Sequence, residues 1–101
     1  MFETPIPTDN WTMLFDEPHG PTNDGWVAGY ECIHGGSRAE MTVYWDGPQT
    51  DTVEITVDEY DKADDKGEPD RRPVDMTVPK DDVQQKVDEI GKSWINTIDN
   101  N

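Results

Sequence analysis

Apolar and polar residues alternate through the middle of this chain, and apolar residues recur every three to four positions near its end. The cleanest alternation runs from Thr52 to Asp58. Val53, Ile55 and Val57 fall on one side, with Thr52, Glu54, Thr56 and Asp58 on the other. Arg38 to Asp46 repeats the pattern, with Met41, Val43 and Trp45 opposed to Thr42 and Tyr44. A period of two is the mark of a half-buried strand. Trp26 to His34 reads as a further strand, stopped by Gly35-Gly36-Ser37, and Gly47-Pro48-Gln49-Thr50 supplies the next turn. Val74, Met76 and Val78 alternate with Asp75 and Thr77 and predict a short fourth strand. Neighbouring strands joined by short Gly-rich turns pair antiparallel.

After Pro79 the period changes. Pro suits the first helical position, and Asp81 and Asp82 sit where the helix dipole favours anions. Val83, Val87, Ile90, Trp94 and Ile98 then form one apolar stripe. Gly91 costs the helix about 1 kcal/mol relative to Ala, and its place between Ile90 and Trp94 suits close approach to the sheet. The expected fold class is α+β: an antiparallel meander of three to four strands with one C-terminal amphipathic helix packed on one face. Val83, Val87, Ile90 and Trp94 are expected to meet Met41, Val43, Trp45, Val53, Ile55 and Val57, leaving the other sheet face open.

Residues 1–25 hold four of the eight prolines (Pro5, Pro7, Pro18 and Pro21) and read as an extended N-terminal arm. Within it Trp11 to Phe15 has the residues for a short strand, and 16–25 is turn-rich. Residues 26–101 form a single domain, interrupted by a polar, acidic loop at 58–73. A chain of 101 residues matches one domain with a small core.

Composition sharpens this picture. Leu, Ile, Val and Phe total 17, with one Leu, and the formal charge is −15. Few aliphatic residues with high net charge mark disorder. Four Trp, three Tyr and the strict periodicity argue for a folded middle and end. The single cysteine, Cys32, excludes an intrachain disulfide. No apolar run approaches the roughly 20 residues of a membrane helix, and MFETPIPTDN lacks the basic and apolar regions of a secretory signal. The expected location is the cytoplasm of a host cell, or a virion assembled there.

The candidate chemistry is sparse. Cys32 and His34 share a strand face, but a zinc site takes about four ligands and a nucleophilic pair needs an orienting group. The run from Asp58 to Asp70 is rich in oxygen ligands. Set on the EF-hand pattern with Gly67 at its invariant glycine, it puts Lys62 and Lys66 where carboxylates belong. Gly35-Gly36-Ser37 lacks the context of a phosphate loop or a nucleophile elbow. Arg71-Arg72 is the one basic cluster, and it is expected to pair with neighbouring carboxylates rather than hold nucleic acid. No nucleophile, base and orienter stand together. The expectation is a non-enzymatic chain without cofactor or metal site.

What remains is acid. Asp and Glu number 23 against 8 Lys and Arg. Such a surface repels nucleic acid and anionic membranes and attracts basic proteins. Carboxylates two apart on a strand lie roughly 6.7 Å apart, so a rigid acidic array imitates a phosphate backbone. The expected partner-binding residues are Glu54, Asp58, Glu59, Asp61, Asp64, Asp65 and Glu68, facing a basic nucleic-acid-binding surface by DNA mimicry. Two alternatives stand beside this. One is a small assembly subunit, a virion component whose arm (Phe2, Ile6, Trp11, Leu14, Phe15) lies along a neighbour in a homo-oligomer or larger assembly. The other is a halophile-adapted domain whose charge answers to solvent alone. Size, acidity, Trp content and the Pro-rich leader are similar to those of small viral and phage proteins, among them acidic inhibitors of host defence enzymes and small virion components. The likeness is one of composition and carries over no residue.

Overall fold

The computed structural model describes residues 3–7 and 10–100. Phe2, counted above with the arm, lies outside them. The chain forms β1 (Thr12–His19), β2 (Gly25–His34), β3 (Ser37–Trp45), β4 (Thr52–Tyr60) and β5 (Arg71–Pro79). One 3-10 turn, Lys80–Asp82, then leads into α1 (Val83–Asp99). The strands make one antiparallel sheet in the order β1-β2-β3-β4-β5. The architecture is α+β as expected, with five strands rather than three to four.

The added strand is β1, where the short strand expected within the arm at Trp11 to Phe15 runs on through residues read as turn to His19. Its extent is hidden because its period is broken. Met13 pairs with Tyr30 and Phe15 with Gly29, so Leu14 is an extra residue at a bulge. A bulge opposes two residues to one and cancels the alternation that reveals a strand. The acidic loop is also shorter than 58–73. β4 continues through Glu59 and Tyr60, and β5 begins at Arg71, leaving 61–70.

One face of the sheet carries Ala28, Tyr30, Cys32, Ala39, Met41, Val43, Trp45, Val53, Ile55, Val57 and Val78, all buried. The stripe Val83, Val87, Ile90 and Trp94 of α1 packs in the same cluster. The expected helix-on-sheet contact is thus the core of the molecule. Each fully buried Val or Ile contributes about 1.5–3 kcal/mol.

The N-terminal residues close the remaining gap on this face. Pro5 is fully buried, and the Tyr30 hydroxyl donates to its carbonyl at 2.6 Å. The Gln84 side chain acts as a surrogate strand for Ile6. Its Oε1 accepts the Ile6 N–H at 2.8 Å and its Nε2 donates to the Ile6 carbonyl at 2.6 Å. Trp11 is buried edge-on against Trp94, ring centres 5.8 Å apart at 66°. Its indole N–H donates to the Gly91 carbonyl at 3.3 Å. Gly91 is required by this contact: a Cβ there would stand 2.9 Å from Trp11 Nε1.

The radius of gyration, 13.6 Å, is that of a folded chain of this length, about 13 Å. The aromatic residues and the tucked N-terminal segment supply the burial that the scarce aliphatics do not. No helix among the described residues is long and apolar enough to cross a membrane.

Candidate interaction surface

Helix and N-terminal segment cover one side of the sheet, and the opposite side stays open. Strand register arranges that open face in rows. Glu31, Glu40 and Asp58 lie side by side across β2, β3 and β4. Gly29, Thr42, Thr56 and Asp75 form the next row, and Val27, Tyr44, Glu54 and Thr77 the one after. Carboxylates directly opposite one another across strands repel, so the first row needs cations.

Arg38 and Arg72 provide them. Arg38 Nη1 donates to Glu40 at 2.8 Å and reaches Glu31 at 3.5 Å. Its Nη2 donates to the backbone carbonyl of Asp65 at 2.6 Å, and the guanidinium lies 4.0 Å above the centre of the Tyr60 ring. Planar, multi-donor Arg suits such a site, where Lys does not. Arg72 grips Asp58 through Nε at 2.8 Å and Nη2 at 3.4 Å. Arg71 pairs with Glu59 and, at 2.8 Å, with Asp61. These carboxylates push both guanidinium pKa values up, with hydrogen bonding the largest cause. The expected pairing of Arg71 and Arg72 with neighbouring acids is what the structure shows. All three arginines are engaged by acids.

The 61–70 loop is tied down at both ends and in its middle. Asp61 N–H donates to the Asp70 carboxylate, and Asp70 N–H donates to the Glu59 carbonyl, each at 2.8 Å. Ala63 N–H donates to the Gly36 carbonyl at 2.9 Å, and Ser37 Oγ to the Asp61 carbonyl at 3.3 Å. Gly36 sits with Gly35 in the β2–β3 turn, both at positive φ, a backbone glycine adopts without strain. Asp65 Oδ1 accepts the Gly67 N–H at 2.9 Å. Asp64 and Glu68 are exposed and stand in no ion pair among the described residues, as does Glu54 on the sheet.

The predicted binding residues therefore divide. Glu54, Asp58, Asp61, Asp64, Asp65 and Glu68 lie on the open face or its bordering loop. Glu59 does not. It is buried, and its carboxylate accepts the indole N–H of Trp94 at 2.6 Å while pairing with Arg71. It is a piece of the core's polar end rather than a surface acid. Sequence reasoning missed Arg38, Ser37 and Gly36 as the clasp of the loop. Arg38 was the available signal, as a lone cation beginning an alternating strand opposite an acidic segment.

A shallow pocket of about 280 Å³ on the open face is lined by Tyr44, Asp46, Thr50, Thr52, Glu54 and Thr77. The Tyr44 hydroxyl donates to Asp46 at 3.1 Å. That hydrogen bond, burial, and the charges of Asp46 and Glu54 push the phenol's pKa up. Two carboxylates among hydroxyls suit a cationic side chain. A second groove, about 370 Å³ and mainly apolar, runs between β5 and α1 over Val57, Val74, Ile90 and Trp94.

Cys32 is buried in the core, where burial and the nearby Glu31 push its thiol up and away from reactivity. The His34 ring meets Asp99 at 2.6 Å, tying the end of β2 to the end of α1. Among the described residues no three His, Cys, Asp or Glu side chains are grouped to hold a metal ion.

Compared with protein-family models, with curated proteins and with solved structures, the chain gives no significant match in any of the three.

Proposed function

We propose that the chain is a non-enzymatic protein–protein interaction module whose open sheet face binds a basic surface of the kind that holds nucleic acid. One observation carries this reading: the acidic 61–70 loop is fastened to the sheet by Arg38, Gly36, Ser37 and Asp70. Acids that merely solubilise a domain need no such fastening, whereas a binding array gains from fixed spacing, because less ordering entropy is lost on association. Glu54 and Asp75 on this face and Asp61, Asp64, Asp65 and Glu68 of the loop supply the carboxylates, and the Asp46–Glu54 pocket offers a socket for a Lys or Arg of the partner. Long-range attraction speeds the encounter and weakens as salt rises. The reading of the arm as a strap along a neighbour has less to draw on, since Pro5, the Ile6 backbone and Trp11 are held within their own domain.

The test neutralises Glu54, Asp64 and Glu68 together (Glu54→Gln, Asp64→Asn, Glu68→Gln), all exposed and outside the clasp. Purified basic nucleic-acid-binding proteins are immobilised, and binding is followed at low and raised salt with duplex DNA as competitor. The expected result is capture by at least one of them, displaced by duplex DNA, with an association rate about tenfold lower for the triple variant and unchanged melting. Binding that ignores both the triple variant and the competitor rejects the proposal, as does no binding across the panel.

A further inference from the structure

The two edges of the sheet differ in how they are guarded. β5 carries Pro73 and Pro79, which lack an N–H, and the charges of Arg71, Arg72 and Asp75. Prolines and charges on an edge strand are the usual means of preventing a further strand from adding. β1 has the opposite character in its first half. Thr12, Met13, Leu14 and Phe15 bear no charge, and the three apolar ones are 43 %, 49 % and 41 % exposed. β1 is the terminal strand of the sheet, so one edge of its backbone has no strand beside it. Phe15 lies over Gly29 on the open face, within contact distance of where a Cβ would be, which fixes its ring and leaves Leu14 at the bulge as the outermost apolar side chain.

The charge pattern identifies the occupant. A basic partner is drawn by carboxylates, and this strip has none to offer. A second copy of the chain also carries −15, and its approach is least opposed where acid does not face acid. We infer that β1 is a self-association edge, through which two copies pair antiparallel about a two-fold axis centred near Leu14. This pairing is isologous, each copy presenting the same strip. With the axis between Met13 and Leu14, it sets Thr12 of one copy against Phe15 of the other, both on the open face, and Met13 beside Leu14. No carboxylate then stands directly opposite another. Asp16 is already engaged by the Thr4 hydroxyl and the Trp26 indole. The bulge bends the strand and keeps the new ladder short, so the dimer is weak and concentration-dependent.

The salt dependence has a sign of its own. Binding of a basic partner through the acidic face weakens with salt. Pairing of two like-charged copies strengthens with it, because the repulsion is screened while the apolar contact is not. Sedimentation equilibrium of the full chain over a range of concentrations, at low and raised salt, reads this directly. The expected result is a monomer–dimer equilibrium shifted toward dimer by salt. Leu14→Lys is expected to raise the dissociation constant at least about tenfold, and Met13→Lys to act likewise. Met76→Lys, at the other edge, is expected to leave it unchanged. Circular dichroism confirms that each variant is folded. For the unaltered chain, amide exchange of Thr12 to Asp16 is expected to slow as concentration rises. A chain that stays monomeric at every concentration and salt overturns the inference. A dimer indifferent to Leu14→Lys, or lost on Met76→Lys, does so equally.

Discussion

Replacing Trp94 separates the two ways in which this side chain holds the fold. Trp94 is 6 % exposed, packs edge-on with Trp11, and donates its indole N–H to Glu59 at 2.6 Å. Trp94→Ala removes the packing and leaves a cavity, which costs about 3–5 kcal/mol. It also takes away a hydrogen bond to a charged acceptor, about 1.5–3 kcal/mol in buried settings. A domain of this size has about 5–15 kcal/mol in all, so Trp94→Ala is expected to leave the chain largely unfolded. Trp94→Phe keeps most of the apolar volume and loses the N–H. Its expected cost is about 2–3 kcal/mol, mostly from the Glu59 carboxylate left buried with Arg71 as its one remaining partner. Urea titration followed by far-ultraviolet circular dichroism gives both values without relying on the fluorescence of the residue removed. The decisive measurement is the double-mutant cycle of Trp94→Phe with Glu59→Gln. If the two groups act through their hydrogen bond, the coupling is about 1 kcal/mol or more. Additive effects, or a Trp94→Phe cost below about 0.5 kcal/mol, would refute the assignment of Glu59 to the core and return it to the surface acids.

Two further outcomes follow from the covered face. Gly91→Ala ordinarily stabilises a helix by about 1 kcal/mol, but here the new methyl meets Trp11, so a net loss of about 1–3 kcal/mol is expected in the same titration; a gain rejects the seating of Trp11 on α1. Burial, helped by the charge of Asp16, pushes the Tyr30 phenol well above its ordinary pKa. The folded pKa being raised, its contribution is intact below about pH 10 and falls as the unfolded chain ionises above it. Tyr30→Phe is expected to lose about 1 kcal/mol at neutral pH, with the bond to Pro5, and to decline less steeply in alkali; equal alkaline slopes count against the buried hydroxyl.

Periodicity made the inner faces of β3, β4 and α1 legible, because there one side of each element is wholly buried and residue type follows burial. It failed where geometry departs from the regular period. β1 was legible only as a short strand at Trp11 to Phe15, because the Leu14 bulge breaks the alternation and Asp16 to His19 carry no apolar pattern, and the burial of Pro5 and Trp11 escaped because their partners, Tyr30, Gln84 and Gly91, are remote in sequence. On the candidate surface, alternation separated Glu54 and Asp58 from the core correctly. It gave no hint that Glu59 turns inward, since that depends on a tryptophan in another element. Nor does a count of acids show which of them are held in place. That followed from Arg38, whose reach to Glu31, Glu40 and Asp65 joins three parts of the chain.

Gln84 and Gly91 have a consequence for how the molecule comes into being. The bonds they make to Ile6 and Trp11 join residues 78 and 80 positions apart. Closing loops of that length is slow compared with forming local turns. The hairpins β2–β3 and β3–β4 require only short excursions, which favours their forming first. Until α1 exists, Trp11 has no platform and Tyr30 faces water. During synthesis Ile6 and Trp11 wait for Gln84 and Gly91, and the apolar face of the sheet lacks its cover until α1 has been made. The net charge of −15 then also acts on a nascent chain: mutual repulsion between neighbouring copies opposes contact between such half-built sheets while they wait.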